Sequence, residues 1–167
     1  MNARELAAML GLEPLPVEGG LFRQTWRGPV DPATGKPSGT AIVVMLTDEP
    51  DSFSAMHRLP TDEVWHFQLG DPVRLLLLAP DGGVDEPVIG PDLAGGHHLQ
   101  LVVPAGTWMG ARLINGGSHG VFACTMAPGF TDSDYEGGDG DELSAAYPSV
   151  ASGIRRLVRR GARPEFR

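Results

Sequence analysis

The sequence predicts an all-β fold, a small antiparallel β-barrel or β-sandwich, on three observations. From Glu18 onward, short stretches rich in β-branched, aromatic and leucine residues recur along the chain. Between them, 23 glycines and 15 prolines supply turn chemistry. The 167 residues, 41% of them hydrophobic, suffice for one well-formed core and are too few for two ordinary domains.

The elements follow in chain order. Asn2-Ala3-Arg4-Glu5 has the pattern of a capping box, and Leu6, Ala7, Met9 and Leu10 then recur on one helical face until Gly11, so a short helix opens the chain. The expected strands are Leu21 to Arg27, Thr40 to Leu46, Glu63 to Leu69, Val73 to Leu78, Gln100 to Val103 and Gly120 to Ala127. Breaks fall at Asp31-Pro32, Gly70-Asp71-Pro72, Asp81-Gly82-Gly83 and Gly95-Gly96. The acidic, glycine-rich stretch from Thr131 to Glu142 reads as a mobile loop. Beyond it, Ile154, Leu157 and Val158 stand at helical spacing, as expected of an amphipathic helix docked on the barrel. The division is one domain over 1–167: an N-terminal helix and lead-in at 1–17, the barrel at 18–130, and the acidic loop with a C-terminal helix at 131–167.

Charge narrows the partners. Thirteen Lys and Arg against 21 Asp and Glu give a net charge of −8, which argues against general affinity for nucleic acid or an anionic membrane and leaves small molecules or protein. Six of the basic residues, Arg155, Arg156, Arg159, Arg160, Arg163 and Arg167, crowd the C-terminal end. No apolar run approaches the roughly 20 residues a membrane span needs, and no charged-then-apolar leader opens the chain, so a cytoplasmic location is the default. Cys124 is the one cysteine and sits in an apolar setting, as a buried structural thiol would. No glycine-rich loop leads from a strand into a helix as phosphate binding by that route requires, and Gly137 to Gly140 lie among acidic residues.

The segment from His57 through Leu59 to Glu63, with Gly70 following, reads as two inward-facing strands joined by a tight corner. It resembles the first cupin motif, His-x-His, three or four residues, Glu, six residues, Gly, with Leu59 in place of the second histidine. Pro104-Ala105-Gly106-Thr107-Trp108-Met109 resembles the second motif, with Met109 and Leu113 where that motif has histidine and asparagine. Glu18-Gly19-Gly20-Leu21-Phe22-Arg23-Gln24-Thr25, Asp62-Glu63-Val64-Trp65-His66-Phe67, Val103 to Trp108 and Ala127-Pro128-Gly129-Phe130 are similar to the cupin-5 family, a domain of unknown function. The resemblance implies a double-stranded β-helix, or jelly-roll barrel, similar in fold to the sugar-nucleotide epimerases of rhamnose biosynthesis. It also implies a homodimer, for which Leu21 to Arg27 is the natural strand to pair across a two-fold axis.

Cupin metal sites take three histidines and a carboxylate, whereas these motifs retain only His57 and Glu63 as ligands should a divalent transition metal bind. Alternation puts Glu63, Trp65 and Phe67 on one strand face and His66 on the other. His97, His98 and His119 follow glycine turns and read as exposed, and Asp62 reads as a turn residue. A histidine beside a carboxylate in an apolar barrel suits proton abstraction next to a carbonyl, with His57 as base and Glu63 as its orienting partner. Arg23, with Arg27 as a second candidate, would grip an anionic group of the ligand. Trp65, Phe67 and Trp108 would wall the pocket, which Met109 and Leu113 make less polar. The related epimerases pair their base with a tyrosine acid, but Tyr135 and Tyr147 both lie beyond the last clear barrel strand, from which Tyr135 would have to fold back. The leading expectation is an isomerase, epimerase or lyase on a small carboxylated or sugar-like molecule. The alternatives are a non-catalytic ligand-binding cupin and a metal-dependent oxygenase.

Overall fold

The computed structural model describes residues 1–159. Helix α1 (Ala3–Leu10) opens on the expected capping box, in which the Asn2 side chain accepts from the Glu5 amide and the Glu5 side chain accepts from that of Asn2. It buries Leu6 and Ala7 and ends on Gly11 in the left-handed conformation, while Met9 projects into solvent rather than onto the buried face.

Two antiparallel six-stranded sheets form the body. The first runs β1 (Glu13–Pro14), β2 (Leu21–Arg27), β3 (Thr40–Thr47), β11 (His119–Met126), β5 (Glu63–Gly70), β9 (Gln100–Val103). The second runs β12 (Glu136–Gly137), β4 (Phe53–Arg58), β10 (Trp108–Leu113), β6 (Val73–Leu78), β7 (Val84–Asp85), with β8 (Val88–Ile89) also on β6. Every strand expected from the sequence forms, within a residue or so at its ends. β4, which carries His57, and β10, which carries Met109, join them as neighbour and centre of the second sheet. The sheets face one another as a jelly-roll barrel.

Three apolar clusters hold these layers. The largest lies between the sheets and is built from alternate residues, among them Val44, Leu46, Trp65, Val73, Leu75, Met109, Ala111, Leu113 and Phe122. A second joins the outer face of the second sheet, through Phe53, Met56, Leu76 and Leu78, to Leu143, Ile154 and Leu157 of the C-terminal segment. The third packs α1 onto the outer face of the first sheet through Met45, Val121 and Leu21.

The stretch from Thr131 to Glu142 is not the mobile loop its composition suggests. It forms a 3-10 turn (Asp132–Asp134), the short strand β12 and the start of α2 (Gly140–Ala146). Asp134 accepts from the Thr131 amide and pairs with Lys36. Glu136 takes Arg58 through two hydrogen bonds at 2.6 and 3.0 Å, and Gly138 N–H donates to Met56 carbonyl at 2.7 Å. These acidic side chains are thus spent on local caps and ion pairs, which composition alone cannot distinguish from solvated charge. After a second 3-10 turn (Pro148–Val150), α3 (Ala151–Arg155) buries Ile154, and Leu157 follows it into the same cluster. The C-terminal helix is therefore present but short, and Arg160, Arg163 and Arg167 lie outside the described residues. No helix among the described residues is long and apolar enough to cross a membrane.

Candidate functional site

Between the sheets, next to the packed core, lies a cavity of about 540 Å³ lined by residues of β2, β3, β4, β5 and β11 and by the Thr131–Tyr135 segment. His57 and Glu63 both line it, 2% and 7% exposed. Their placement follows from local irregularity as much as from alternation. Against β10, Met109 pairs with His57 but Ala111 pairs with Ser54, so β4 carries one extra residue, a β-bulge at Ala55-Met56. The bulge lets both Ser54 and His57 reach the lumen while Phe53 and Met56 pack outward. It also redirects the Ala55 amide to the Glu18 carbonyl at 2.9 Å and the Met56 amide to the Leu157 carbonyl at 2.7 Å.

His57 is held by the same bulge. Its Nδ1 stands 2.7 Å from the Ala55 carbonyl oxygen, which can only accept, so Nδ1 carries the proton and Nε2 is the basic nitrogen. Glu18 Oε1 lies 3.9 Å from Nε2 and accepts from Ser54 Oγ at 2.6 Å. Glu18 comes from a tight turn: its amide donates to Pro16 carbonyl at 2.8 Å across Val17, whose φ of 70° gives a γ-turn that branched side chains seldom adopt. Gly19, at φ 105°, follows with no room for a side chain, since an added Cβ would fall 2.4 Å from the Phe53 carbonyl oxygen.

Glu63 does not orient His57. Trp65 Nε1–H donates to Glu63 Oε2 at 2.9 Å, and the Cys124 thiol donates to the same carboxyl. Burial pushes the Glu63 carboxyl up to about 7, opposed by the nearby His57 and reinforced by the Glu18 charge. Burial likewise holds the Cys124 thiol well above its ordinary range, which fits a structural group and not a nucleophile. Tyr135 stacks on the His57 ring with centroids 5.1 Å apart and 13° between planes. Burial also raises its phenol, so it stays neutral.

The binding residues expected from sequence separate into two groups. Arg23 is exposed on the outer face of β2, beside Gly11 at the end of α1, and does not line the cavity. The pairing of β2 with β3 slips between Gln24 and Trp26, a second bulge, so Phe22, Gln24 and Arg27 face the lumen and Arg27 stands where Arg23 was expected. Trp65 lies in the packed core, stacked on Phe122 at 4.6 Å, and reaches the site only through Glu63. Phe67 and Met109 belong to that same core and not to the cavity wall. Trp108 faces the opposite side of its sheet, under the Arg58 guanidinium at 4.6 Å, because Met109, Ala111 and Leu113 take the interior positions of β10. His66, as alternation requires, points outward to Thr125 and Gln100. Asp62 caps the Ala105 amide at 2.8 Å, a turn role. Sequence reasoning missed Glu18 altogether. Its signal was the Glu18-Gly19-Gly20 turn, which delivers a carboxylate to the barrel mouth.

The donor set does not fit a resident metal ion. Of the motif positions only His57 and Glu63 bring ligands, Leu59 and Met109 are apolar, and Glu63 is engaged by Trp65 and Cys124. Among the described residues no three His, Cys, Asp or Glu side chains converge as a binding group.

A family model described as "Cupin superfamily (DUF985)" matches residues 4–137. Among solved structures, a protein from Shewanella oneidensis is 31% identical with a TM-score of 0.86, the alignment covering 95% of this chain and 98% of that one. A hypothetical protein from Leishmania major is 27% identical with a TM-score of 0.85, over 95% and 99%. A mutant of Bacillus subtilis oxalate decarboxylase, 12% identical with a TM-score of 0.53 over 87% of this chain and 37% of that one, shares the fold. No curated protein matches the chain.

Proposed function

Because the chain belongs to the DUF985 family of the cupin superfamily, we propose that its lumen binds a small carboxylated or sugar-like molecule and acts as an isomerase, epimerase or lyase with His57 as general base. The observation that carries this is the fixed tautomer: Nδ1–H is committed to the Ala55 carbonyl, leaving Nε2 as a proton acceptor on the wall of a sheltered cavity. A proton on carbon next to a carbonyl passes to Nε2, and the electron pair left behind delocalises onto the carbonyl oxygen. The neutral Tyr135 phenol is suited to donate a hydrogen bond to that enolate, and the Glu18 carboxylate to stabilise the imidazolium. Return of the proton completes an isomerisation or epimerisation, while expulsion of a leaving group on the next carbon completes an elimination. Arg27, on the lumen side of β2, is the anion anchor in this reading.

The rival is a binding cupin without turnover, favoured by the way Glu63 and Glu18 are already satisfied by Trp65, Cys124 and Ser54. One experiment separates them: incubation of a panel of sugar acids, 2-oxo acids and hydroxy acids in D2O, with loss of the carbon-bound proton followed by NMR. The catalytic reading expects exchange that His57→Gln abolishes. Compounds that bind both proteins and exchange with neither would establish the binding reading instead.

A homodimer formed through β2 is part of the proposal. β1 pairs only with Leu21 and Phe22, which leaves the edge of β2 from Arg23 to Arg27 open among the described residues, with Trp26 half exposed there. Light scattering at micromolar concentration tests it, and a monomeric mass would rule it out.

A further inference from the structure

A second cavity, of about 240 Å³, opens on the outer face of the second sheet, where β6 and β10 meet the end of α3. Arg112 of β10 and Arg74 of β6 are direct cross-strand partners. Ala111 and Leu113 point into the barrel core, so both arginines leave the sheet side by side on its outer face. Arg156, just beyond α3, lines the same groove, and its carbonyl accepts from Arg112 Nη2 at 2.7 Å. Three arginines therefore line one groove of a chain whose net charge is −8.

Among the described residues, no carboxylate lies within 4.0 Å of Arg74, Arg112 or Arg156, although Glu86 belongs to the groove lining. Like charges directly opposite across a sheet are destabilising. Arg112 bears a further cost, since its Nε is buried without a hydrogen-bond partner among the described residues. Burial and the charges of Arg156 and Arg159 depress its basicity, and the Asp51 charge only partly opposes them. Such an arrangement is relieved by an anion with several acceptor oxygens. Leu76, Ile114 and Leu157 supply an apolar floor beside the charges, and Asn115 a polar group at the rim.

We propose that this groove is a binding site for a small phosphate monoester with an apolar body, the phosphate seated among Arg74, Arg112 and Arg156 and the body on Leu76, Ile114 and Leu157. Phosphate suits the cluster better than a single carboxylate because its charge and three terminal oxygens match several guanidinium groups at once. Glu86 disfavours a second anionic group at its end of the groove, which selects a monoester over a longer polyanion.

The test is titration of the full chain with phenyl phosphate at constant ionic strength, followed by calorimetry and by NMR. Saturable binding is expected, weakened by about tenfold in each of Arg74→Gln and Arg156→Gln, since each removes one charge-assisted contact. Both side chains are exposed, so neither variant endangers the fold, whereas Arg112 also covers the Phe53 ring and is left intact. Arg27→Gln, at the lumen, leaves this binding unchanged. Absence of saturation below about 10 mM, where affinity falls to only a few kcal/mol, overturns the proposal. So does binding that survives both groove substitutions or that Arg27→Gln removes.

Discussion

The barrel interior has a packed part and a hollow part, and strands common to both supply them. In the packed part, Leu75, Met109, Ala111, Leu113, Trp65 and Phe122 fill the space between the sheets. In the hollow part, Glu18, His57, Glu63, Arg27 and Tyr135 surround about 540 Å³. The two strands that bring His57 and Arg27 to the hollow part each carry a bulge, which re-aims a polar side chain that strict alternation would have turned outward. Met109 and Leu113, at positions where the cupin motif has histidine and asparagine, fall instead within the packed part. The lumen thus presents one imidazole to its cavity, while the positions where the cupin motif has polar groups are filled by core residues.

The comparison breaks most visibly at His57. If the hollow part is catalytic, His57→Gln lowers the rate of proton exchange by about 10²- to 10⁴-fold, the usual contribution of a general base, with the fold retained by circular dichroism. Stability separates the two parts next. Leu75→Ala, in the packed part, costs about 2–5 kcal/mol in urea unfolding, because it leaves a void that rigid neighbours cannot fill. Leu59→Ala, on the cavity wall, costs clearly less, since its side chain already borders empty space on one side. Equal losses would mean that the hollow part is as tightly packed as the rest.

Glu63 offers a pH readout of the hollow part. Its folded-state value of about 7 exceeds the unfolded 4.5, so the folded state binds more protons between these values, and stability falls as pH rises through that window. Glu63→Gln, which mimics the protonated form, therefore stabilises the protein at pH 8 by up to about 3 kcal/mol, with the gain vanishing toward pH 4.5. A constant difference in Tm across this range would place the carboxyl in a wetter setting. The Arg58–Glu136 pair, both side chains over 40% exposed, lies at the small end: Glu136→Gln costs under about 1 kcal/mol. Smallest of all, purification without chelator yields far less than one transition metal per chain, and added Mn²⁺ leaves Tm unmoved, because the donor set is incomplete.

Much of the fold was legible because alternation and turn chemistry are local. The strands from Val73 to Leu78 and from Gln100 to Val103 fall where period-two patterning puts them, and the capping box at Asn2 specifies its helix within four residues. The outward His66 was legible in the same way, whereas His57 and Glu63 were legible through the resemblance to the first cupin motif. The exposed Arg23 marks the limit of that reading: alternation puts it on the same strand face as Leu21, and Leu21 faces α1 and not the lumen. The strap from Thr131 to Tyr135 misled composition because its charges meet partners remote in sequence, such as Lys36.

Residue type and short-range spacing alone thus placed six of the strands in order, the two motifs and the apolar residues at most of the metal-ligand positions. That Glu18 and Tyr135 join His57, that Glu63 answers to Trp65 and Cys124, and that Arg27 takes the lumen side emerges only in the folded chain. Those outcomes depend on bulges and turns whose conformation is set by the neighbouring strand, and on contacts between segments that only closure of the barrel brings together.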